Sequence, residues 1–383
     1  MCLRGTAMDV RILIGGDICP IGRNQALFQR GEAERILNEL LPEFQSADLV
    51  TANLECALID AETPIRKCGP NRGVPFDCVR GLRAMGITVA GLANNHIMDH
   101  GCRGLRTTMR ALQEAGIAYV GAGEDVAEAA QPLCLPLGDI RVGIIAVAEH
   151  EFSIAATNTP GAHPLNLIEY VRTMKNLNRE CDYTIVLLHG GKEHYVYPSP
   201  ALQQTCRFMV EQGADLVLCQ HSHCAGCYEH YQGGHIVYGQ GNLVFDRHPD
   251  LQGAWNRGFV VKVSIKSRQT AEMDLLPYIQ SDERPGVRRM CADEEATLRR
   301  DLEARSAQIQ EDGFLEQAWR DFCTNKRDLY FSILRGHSRP IRRMNQMTHF
   351  ADRLYSRTAL LALQNVVRCE SHREVLQTIL SDT

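Results

Sequence analysis

The stretch VLCQHSHCAGC, residues 217–227, puts two histidines and three cysteines into eleven positions at the end of an apolar run. A metal site, a redox pair and the crowded end of a buried strand all fit it at first sight. His221 and His223 are two apart, so in an extended segment they project to one side and can serve two metals or two coordination positions. The Cys224–Cys227 pair lacks the second CxxC that a four-thiolate zinc site needs. A thioredoxin-like pair would open a helix, whereas the following YEHYQGGHIVY reads as turn and strand. The three thiols are therefore expected to be reduced packing residues, and the two histidines to carry the chemistry.

On either side of this stretch, residues 10–278 alternate short β-branched runs with amphipathic segments, the signature of a layered α/β fold. RILIGGD, ADLVTANLE, ITVAGLANN, VGIIAVAEH, YTIVLLHGG, ADLVLCQHS, HIVYGQGN and FVVKVSI read as strands. Helical patterns cover 25–44, 76–85, 103–115, 165–179 and 201–212. Five strands end in polar clusters, GGD, NLE, NNH, HGG and QHSH, and ligands of open α/β sheets bind beyond strand carboxyl ends. These clusters are expected to converge. After SDERPGV, read as a charged linker, the pattern is helical, with CADEEATLRRDLEARSAQIQ and HFADRLYSRTALLALQNVVR the clearest amphipathic stretches. The expected division is an α/β domain over 9–278 and a helical extension over 279–383. That extension reads as a packed appendage, a lid, a dimer arm or a partner surface.

Composition narrows the field. The chain has 383 residues, 44% hydrophobic and 23% charged, as in ordinary globular proteins. A formal net charge of −5 argues against general affinity for nucleic acid, which needs clustered Lys and Arg. MCLRGTAMDVRILIGGD is too briefly apolar to span a bilayer or to serve as a secretory signal, so a cytoplasmic protein without a membrane span is expected. Most of its 15 cysteines are then expected to be reduced small hydrophobes.

Each polar cluster offers groups suited to metal or proton chemistry. Asp17 follows two glycines at a strand end, and Glu55 puts a second carboxylate at another, where it could bridge cations or cap a turn. In ANNHIMDHG, Asn95 offers an amide oxygen, and His96 can exchange a proton if a carboxylate such as Asp99 fixes its tautomer. His189 ends a very apolar strand and precedes two glycines, with Glu193 four residues on.

Taken in order, GGDICP, NLE, NNHIMDHG, HGGKE, QHSH and GQGNLVFD resemble the motif series of the CapA family, named for poly-γ-glutamate capsule synthesis, over about residues 10–265. CapA proteins look like a branch of the calcineurin-like metallophosphoesterases. The resemblance implies a four-layered α/β/β/α sandwich with a divalent two-metal centre, manganese or zinc, at the strand ends. It implies Asp17, Glu55, Asn95, His189, His221 and His223 as metal ligands and His96 as proton donor. Glu193 and Asp246 are shared with CapA relatives. Where the phosphoesterase motif reads Asp-x-His, this chain has Asp17, Ile18 and Cys19, so Cys19 is either a substitute thiolate ligand or a lost one.

Three functions follow as expectations. The first is a metal-dependent hydrolase acting on an anionic polymer, glycan or peptide-like substrate of capsule or exopolysaccharide synthesis. In it, His96 serves as acid and Asp99 or Asp17 orients its ring. The second is a metal-free acid–base enzyme, an epimerase or racemase, pairing His96 with His189 or His223 among Asp17, Glu55 and Glu193. The third is a non-catalytic accessory subunit that docks as a homodimer or on a capsule-assembly partner through the C-terminal helices.

Overall fold

Apolar runs bounded by turn residues become strands because a pleated segment buried on both faces needs side chains without polar atoms. The computed structural model describes residues 9–247, 253–267, 270–334 and 356–381. Strands β1 (Val10–Cys19), β2 (Leu49–Leu54), β3 (Val89–Gly91) and β4 (Ala118–Val120) run parallel, in that order. A second sheet holds β5 (Leu133–Leu137), β6 (Ile140–Ala148), β7 (Tyr183–His189), β8 (Leu216–Gln220), β9 (Tyr228–Tyr231) and β10 (Gly234–Tyr238), in the order β9-β10-β8-β7-β6-β5. The chain then returns to the first sheet. There β11 (Asn242–Phe245) pairs parallel to the end of β1, and β12 (Arg257–Ser267), β13 (Thr270–Gln280) and β14 (Val287–Arg289) extend the sheet antiparallel from its other edge.

The layering is visible in a single strand. Along β7, Ile185 and Leu187 enter the core between the sheets, while Val186 and Leu188 face the helices α2 (Leu167–Glu180) and α3 (Pro200–Glu211), which follow α1 (Gly101–Glu114) in the chain. Each such side chain contributes about 1.5–3 kcal/mol by leaving water. Helix α2 starts where the Asn166 side chain accepts from the amides of Ile168 and Glu169, and it turns Tyr170, Met174 and Leu177 onto the sheet. Helix α3 starts at Ser199 with Pro200 in its first turn, and buries Leu202, Cys206 and Met209. On the far side of the first sheet, the helix expected over 25–44 is broken. Gly31 (φ 67°) and Asn38 (φ 44°) interrupt it, leaving short turns that bury Phe28, Leu37 and Phe44. The architecture is the expected four-layered α/β/β/α sandwich.

The expected boundary at 278 falls inside β13, and the sheet continues through Val287–Arg289. SDERPGV is a clamped turn rather than a linker, because the Arg23 guanidinium donates to the carbonyls of Ser281, Asp282 and Glu283 while it pairs with Asp246. The helical part begins with α4 (Ala292–Gln308), followed by α5 (Phe314–Leu334), α6 (Arg357–Arg368) and α7 (Glu370–Ser381). Of HFADRLYSRTALLALQNVVR, residues 349–355 lie outside the described residues. Helix α4 joins the main core through Leu298 and Leu302, and Arg305 donates to the carbonyls of Ala225 and Gly226. Helices α5, α6 and α7 share a smaller core, in which Trp319, Val366, Val375 and Ile379 close around Tyr195. Among the described residues no helix is long and apolar enough to cross a membrane.

Helix α4 is tied at its start by Glu294, which accepts from the Arg288 guanidinium at 2.8 and 2.9 Å and from the Cys291 amide at 2.9 Å. Arg288, then the Cys291 amide, hold the Glu294 carboxyl at about 2. A carboxyl depressed in the folded state stabilises above its unfolded value, and that contribution is lost as pH falls through the folded value. The stability difference between the native protein and Glu294→Gln, measured by urea denaturation, should be largest near neutral pH. It should shrink from about pH 4.5 toward pH 2; a difference independent of pH over that window would remove Glu294 as the anchor.

Candidate metal and catalytic site

Two strands meet unusually closely at the carboxyl edge of the first sheet. A Cβ on Gly16 would lie 1.9 Å from the carbonyl oxygen of Gly241, so only glycine lets β1 pass the chain entering β11. The register of β1 shifts there, and Asp17 pairs with Asn53 on one side and Asn242 on the other. Asp17 is held by Asn53 Nδ2, which donates to Oδ1 at 2.8 Å, and by the His221 amide, which donates to Oδ2 at 3.1 Å. Burial pushes its carboxyl up, but His223, His189 and Asn53 outweigh burial and hold it at about 2.

Glu55, one residue past β2, is fully buried, and among the described residues neither carboxylate oxygen has a hydrogen-bond partner. Its Oε1 faces three imidazoles: Nε2 of His189 and of His223 at 3.7 Å, and Nε2 of His96 at 4.0 Å. Burial, then the neighbouring Asp17, raise the Glu55 carboxyl well above its usual range. The histidines are pushed the other way. Burial takes His189 well below its ordinary value and lowers His221, although Glu193 and Glu151 favour the charged form of His221. His223 Nδ1 donates to Asn242 Oδ1 at 2.8 Å, which leaves the Nε2 lone pair toward Glu55.

His221 and His223 do not sit in an extended segment. Strand β8 ends at Gln220, and both histidines are in the left-handed region, at φ 86° and 57°. Side chains other than glycine rarely adopt that region, and such strain concentrates at functional positions. The turn brings both rings to the same carboxylate, though not by the alternation of a strand. The neighbouring thiols behave as expected: Cys219, Cys224 and Cys227 are free and buried.

The loop after β3 supplies a second constellation. His96 Nδ1 lies 2.5 Å from Asp99 Oδ2, so the ring donates there and its Nε2 lone pair points toward Glu55. Lys67 is buried against Asp99 in an ion pair and stands 3.1 Å from His96 Nδ1. Burial lowers the His96 value, Asp99 pulls it back up, and Lys67 lowers it again. His96 is therefore neutral near pH 7.

The donor set of Glu55, His221 and His223 fits a divalent cation. Their ligand atoms lie within 4.8 Å of one another, and both Glu55 oxygens and His221 Nδ1 are buried without partners. Asp17, Asn95 and His189 adjoin this group and largely satisfy one another: Asn53 donates to His189 Nδ1 at 3.2 Å, and His189 Nε2 meets Asn95 Oδ1 at 3.1 Å. Cys19 is fully buried in the main core, where it bonds the Cys56 thiol, and it is not in the Glu55 group. Glu193 lies exposed on the cavity rim, and Asp246 is occupied by Arg23. The structure adds Lys67, Glu151 and His372 to the neighbourhood. Glu151 accepts from Asn95 Nδ2 at 3.0 Å and lies 3.7 Å from His372 Nε2. Glu151, Cys369 and His372 form another close group of ligand atoms. The Lys192 ammonium donates to His372 Nδ1 at 3.2 Å, leaving the proton on Nε2, and burial beside Glu149 keeps the Cys369 thiol protonated. That group is a hydrogen-bonded cluster rather than a cation site.

Residues 11–247 match the family model described as Bacterial capsule synthesis protein PGA_cap. The chain belongs to this family. Every residue of the metal and proton constellations lies within the span that matches PGA_cap, whereas His372 lies outside it. Among PGA_cap relatives, the capsule biosynthesis protein CapA of Bacillus anthracis is 28% identical over 275 residues, 68% of this chain and 65% of that protein. The PGA biosynthesis protein CapA of Bacillus subtilis is 27% identical over 267 residues, 65% of this chain and 66% of that one. A probable polyglutamine synthesis accessory protein of Mycobacterium tuberculosis is 31% identical over 230 residues, 56% of this chain and 59% of that protein. The chain thus spans just under two thirds of the length of the two capsule proteins. Among solved structures, a novel phosphatase from Mycoplasma pneumoniae is similar at TM-score 0.46 and 11% identity, covering 72% of this chain and 95% of that one. A 5′-nucleotidase precursor from Thermus thermophilus is similar at TM-score 0.41 and 13% identity, covering 79% and 59%.

Removing one member of a buried ion pair strands the other charge, at a cost of about 3–5 kcal/mol. Lys67→Met should therefore destabilise the protein by about that amount in urea denaturation, and Lys67→Met combined with Asp99→Asn should recover part of it. Simple addition of the two single effects would show that the pair is not coupled.

Proposed function

We propose that this PGA_cap protein is a metal-dependent hydrolase acting on an anionic polymer, glycan or peptide-like compound of capsule or polyglutamate synthesis. The observation that carries the reading is Glu55, whose two buried oxygens, unpartnered among the described residues, stand among the rings of His96, His189 and His223, with burial pushing His189 toward its neutral form. Neutral imidazoles and a carboxylate are the donors a divalent cation such as manganese or zinc takes. Glu55, His221 and His223 would hold the first cation, and Asp17, Asn95 and His189 a second. Bound there, divalent cations lower the pKa of water and polarise the scissile group. A metal-free epimerase or racemase would leave the Glu55 oxygens unexplained.

The chain's own residues supply the rest. Asn53 fixes Asp17 and the ring of His189, and Asn242 fixes the tautomer of His223. His96 is turned by Asp99 so that Nε2 faces the cluster. Neutral at rest, it takes a proton at Nε2 and returns it to the departing atom, with Asp99 stabilising the charged ring between the two events. The names of the relatives bring capsule and PGA synthesis to this chain as context, one of them naming an accessory protein.

Metal analysis of protein purified without chelators tests the reading. One tightly held divalent ion per chain is expected, with a second on saturation and both lost in His221→Ala. His96→Asn should keep the metals and lower turnover of a responsive substrate by about 10²–10⁴-fold. Failure to retain manganese or zinc at any loading would overturn the hydrolase reading.

A further inference from the structure

Outside the family-matched span, helices α5–α7 fold back over the site. A cavity of about 370 Å³ lies beside the cluster, with Asn95, His96 and Glu151 on one side and Lys326, Asn365 and His372 on the other. Helix α7 is tied down on both flanks. Glu370 accepts from the His150 amide at 2.9 Å, and Glu374 accepts from the Ser199 hydroxyl at 2.6 Å and the Ala201 amide at 3.3 Å. The apolar contacts of Val366, Val375 and Ile379 with Tyr195 and Trp319 complete the seat.

One atom of this roof lacks a role in the fold. Asn365 is only 8% exposed, its side chain lines the cavity, and its Oδ1 has no hydrogen-bond partner among the described residues. A buried amide oxygen without a donor costs about 1–3 kcal/mol, a cost that a ligand N–H or O–H would offset. Three ammonium groups line the same space. Lys67 is neutralised by Asp99, while Lys192 meets the neutral ring of His372 and Lys326 stacks over Phe322 at 5.5 Å. Glu193 on the same lining offsets Lys192, so Lys326 is the ammonium that leaves positive charge for an acid group. The volume sits at the low end of small-ligand pockets, roughly 300–1,000 Å³.

We infer that the C-terminal helices are part of the substrate site, completing over the cluster a cavity for a compact acid that carries an N–H or O–H donor. Asn365 accepts that donor, and Lys326 faces the acid group. His372, held by Lys192 with its proton on Nε2, presents a further donor beside Glu151. Asn365 is the specificity-determining residue, because it rejects an acid of the same size that lacks the donor. This inference rests on the hydrolase reading for the site's chemistry, but it concerns only recognition.

The test uses the full chain loaded with manganese and calorimetric titration with two matched pairs of probes. L-glutamate against glutarate examines an amino donor beside carboxylates, and glycerol 3-phosphate against propyl phosphate examines hydroxyl donors beside a phosphate. In one of these pairs the donor-bearing probe should bind about tenfold tighter than its analogue, and the pair identifies which acid the cavity takes. Asn365→Leu should abolish that preference while metal content stays as in the native protein and thermal stability is at least as high, and His372→Gln should weaken both members of the pair. Equal affinity within both pairs, a preference that survives in Asn365→Leu, or no binding of any probe would overturn the inference. Metal content, read on the same samples, reports separately on the hydrolase reading.

Discussion

A carboxylate enclosed in protein without a hydrogen-bond donor is among the most expensive arrangements a fold can hold, and Glu55 is in that position. Among the described residues no lysine or arginine forms an ion pair with it, and Arg72, which favours its charged form, is outweighed by burial and Asp17. Its neighbours are the imidazoles of His96, His189 and His223, and burial favours the neutral form of the first two, so they bring ring nitrogens rather than positive charge. Such a group is stable either with a proton on Glu55 or with a cation among the lone pairs. The first leaves four ring-bearing positions as an elaborate packing solution. The second explains why His221 and His223 accept left-handed backbone conformations.

The sheet geometry follows from what this cluster needs. Side chains from β1, β2, β7 and the turn after β8 reach one point only if the two sheets bring their carboxyl ends together and β11 lies close against β1. Gly16 provides that approach, since any side chain there would meet the Gly241 carbonyl. The asparagines at 53 and 242, paired with Asp17 in the strand register, then set the orientation of His189 and His223. Backbone pairing and imidazole orientation are thus fixed by the same residues. Substitutions at Asn53 would disturb both at once.

The strands read from the sequence are those buried largely on both faces and so written as apolar runs, as β7 shows, whereas the partly exposed β5 and β13 escaped the reading. The polar ends of those runs marked Asp17, Glu55, His189 and the two histidines of QHSH, since a charged group directly after a buried strand has few structural uses. Conformation was less accessible. The pattern of QHSH is compatible with an extended segment, and only the contacts made by Asp17 and Asn242 pull it into a left-handed turn. The broken helix over 25–44 turns on the left-handed cap at Gly31 and on Asn38 reaching Val287, and the clamped turn over 281–287 on Arg23 reaching across the fold. Lys67, Glu151 and His372 carry no local signal at all. Each stands in an ordinary charged stretch, and its place in the site is decided by contacts made across the fold.

The strand-end cluster and the helical roof are held in place by different kinds of contact. The cluster of carboxylates and imidazoles belongs to the sandwich, where strand ends hold it rigidly, and its chemistry does not depend on what lies above. The roof is made of amphipathic helices seated on a small apolar core and a few carboxylate-to-backbone contacts. A rigid floor with general reactivity and a separately built wall can change independently. Altering α6 or α7 reshapes the cavity while leaving the Glu55 group untouched, whereas altering a strand end would cost both the fold and the chemistry. Specificity therefore belongs on the helices, where an unsatisfied amide such as Asn365 is tolerable because its cost is small beside the burial that anchors the roof.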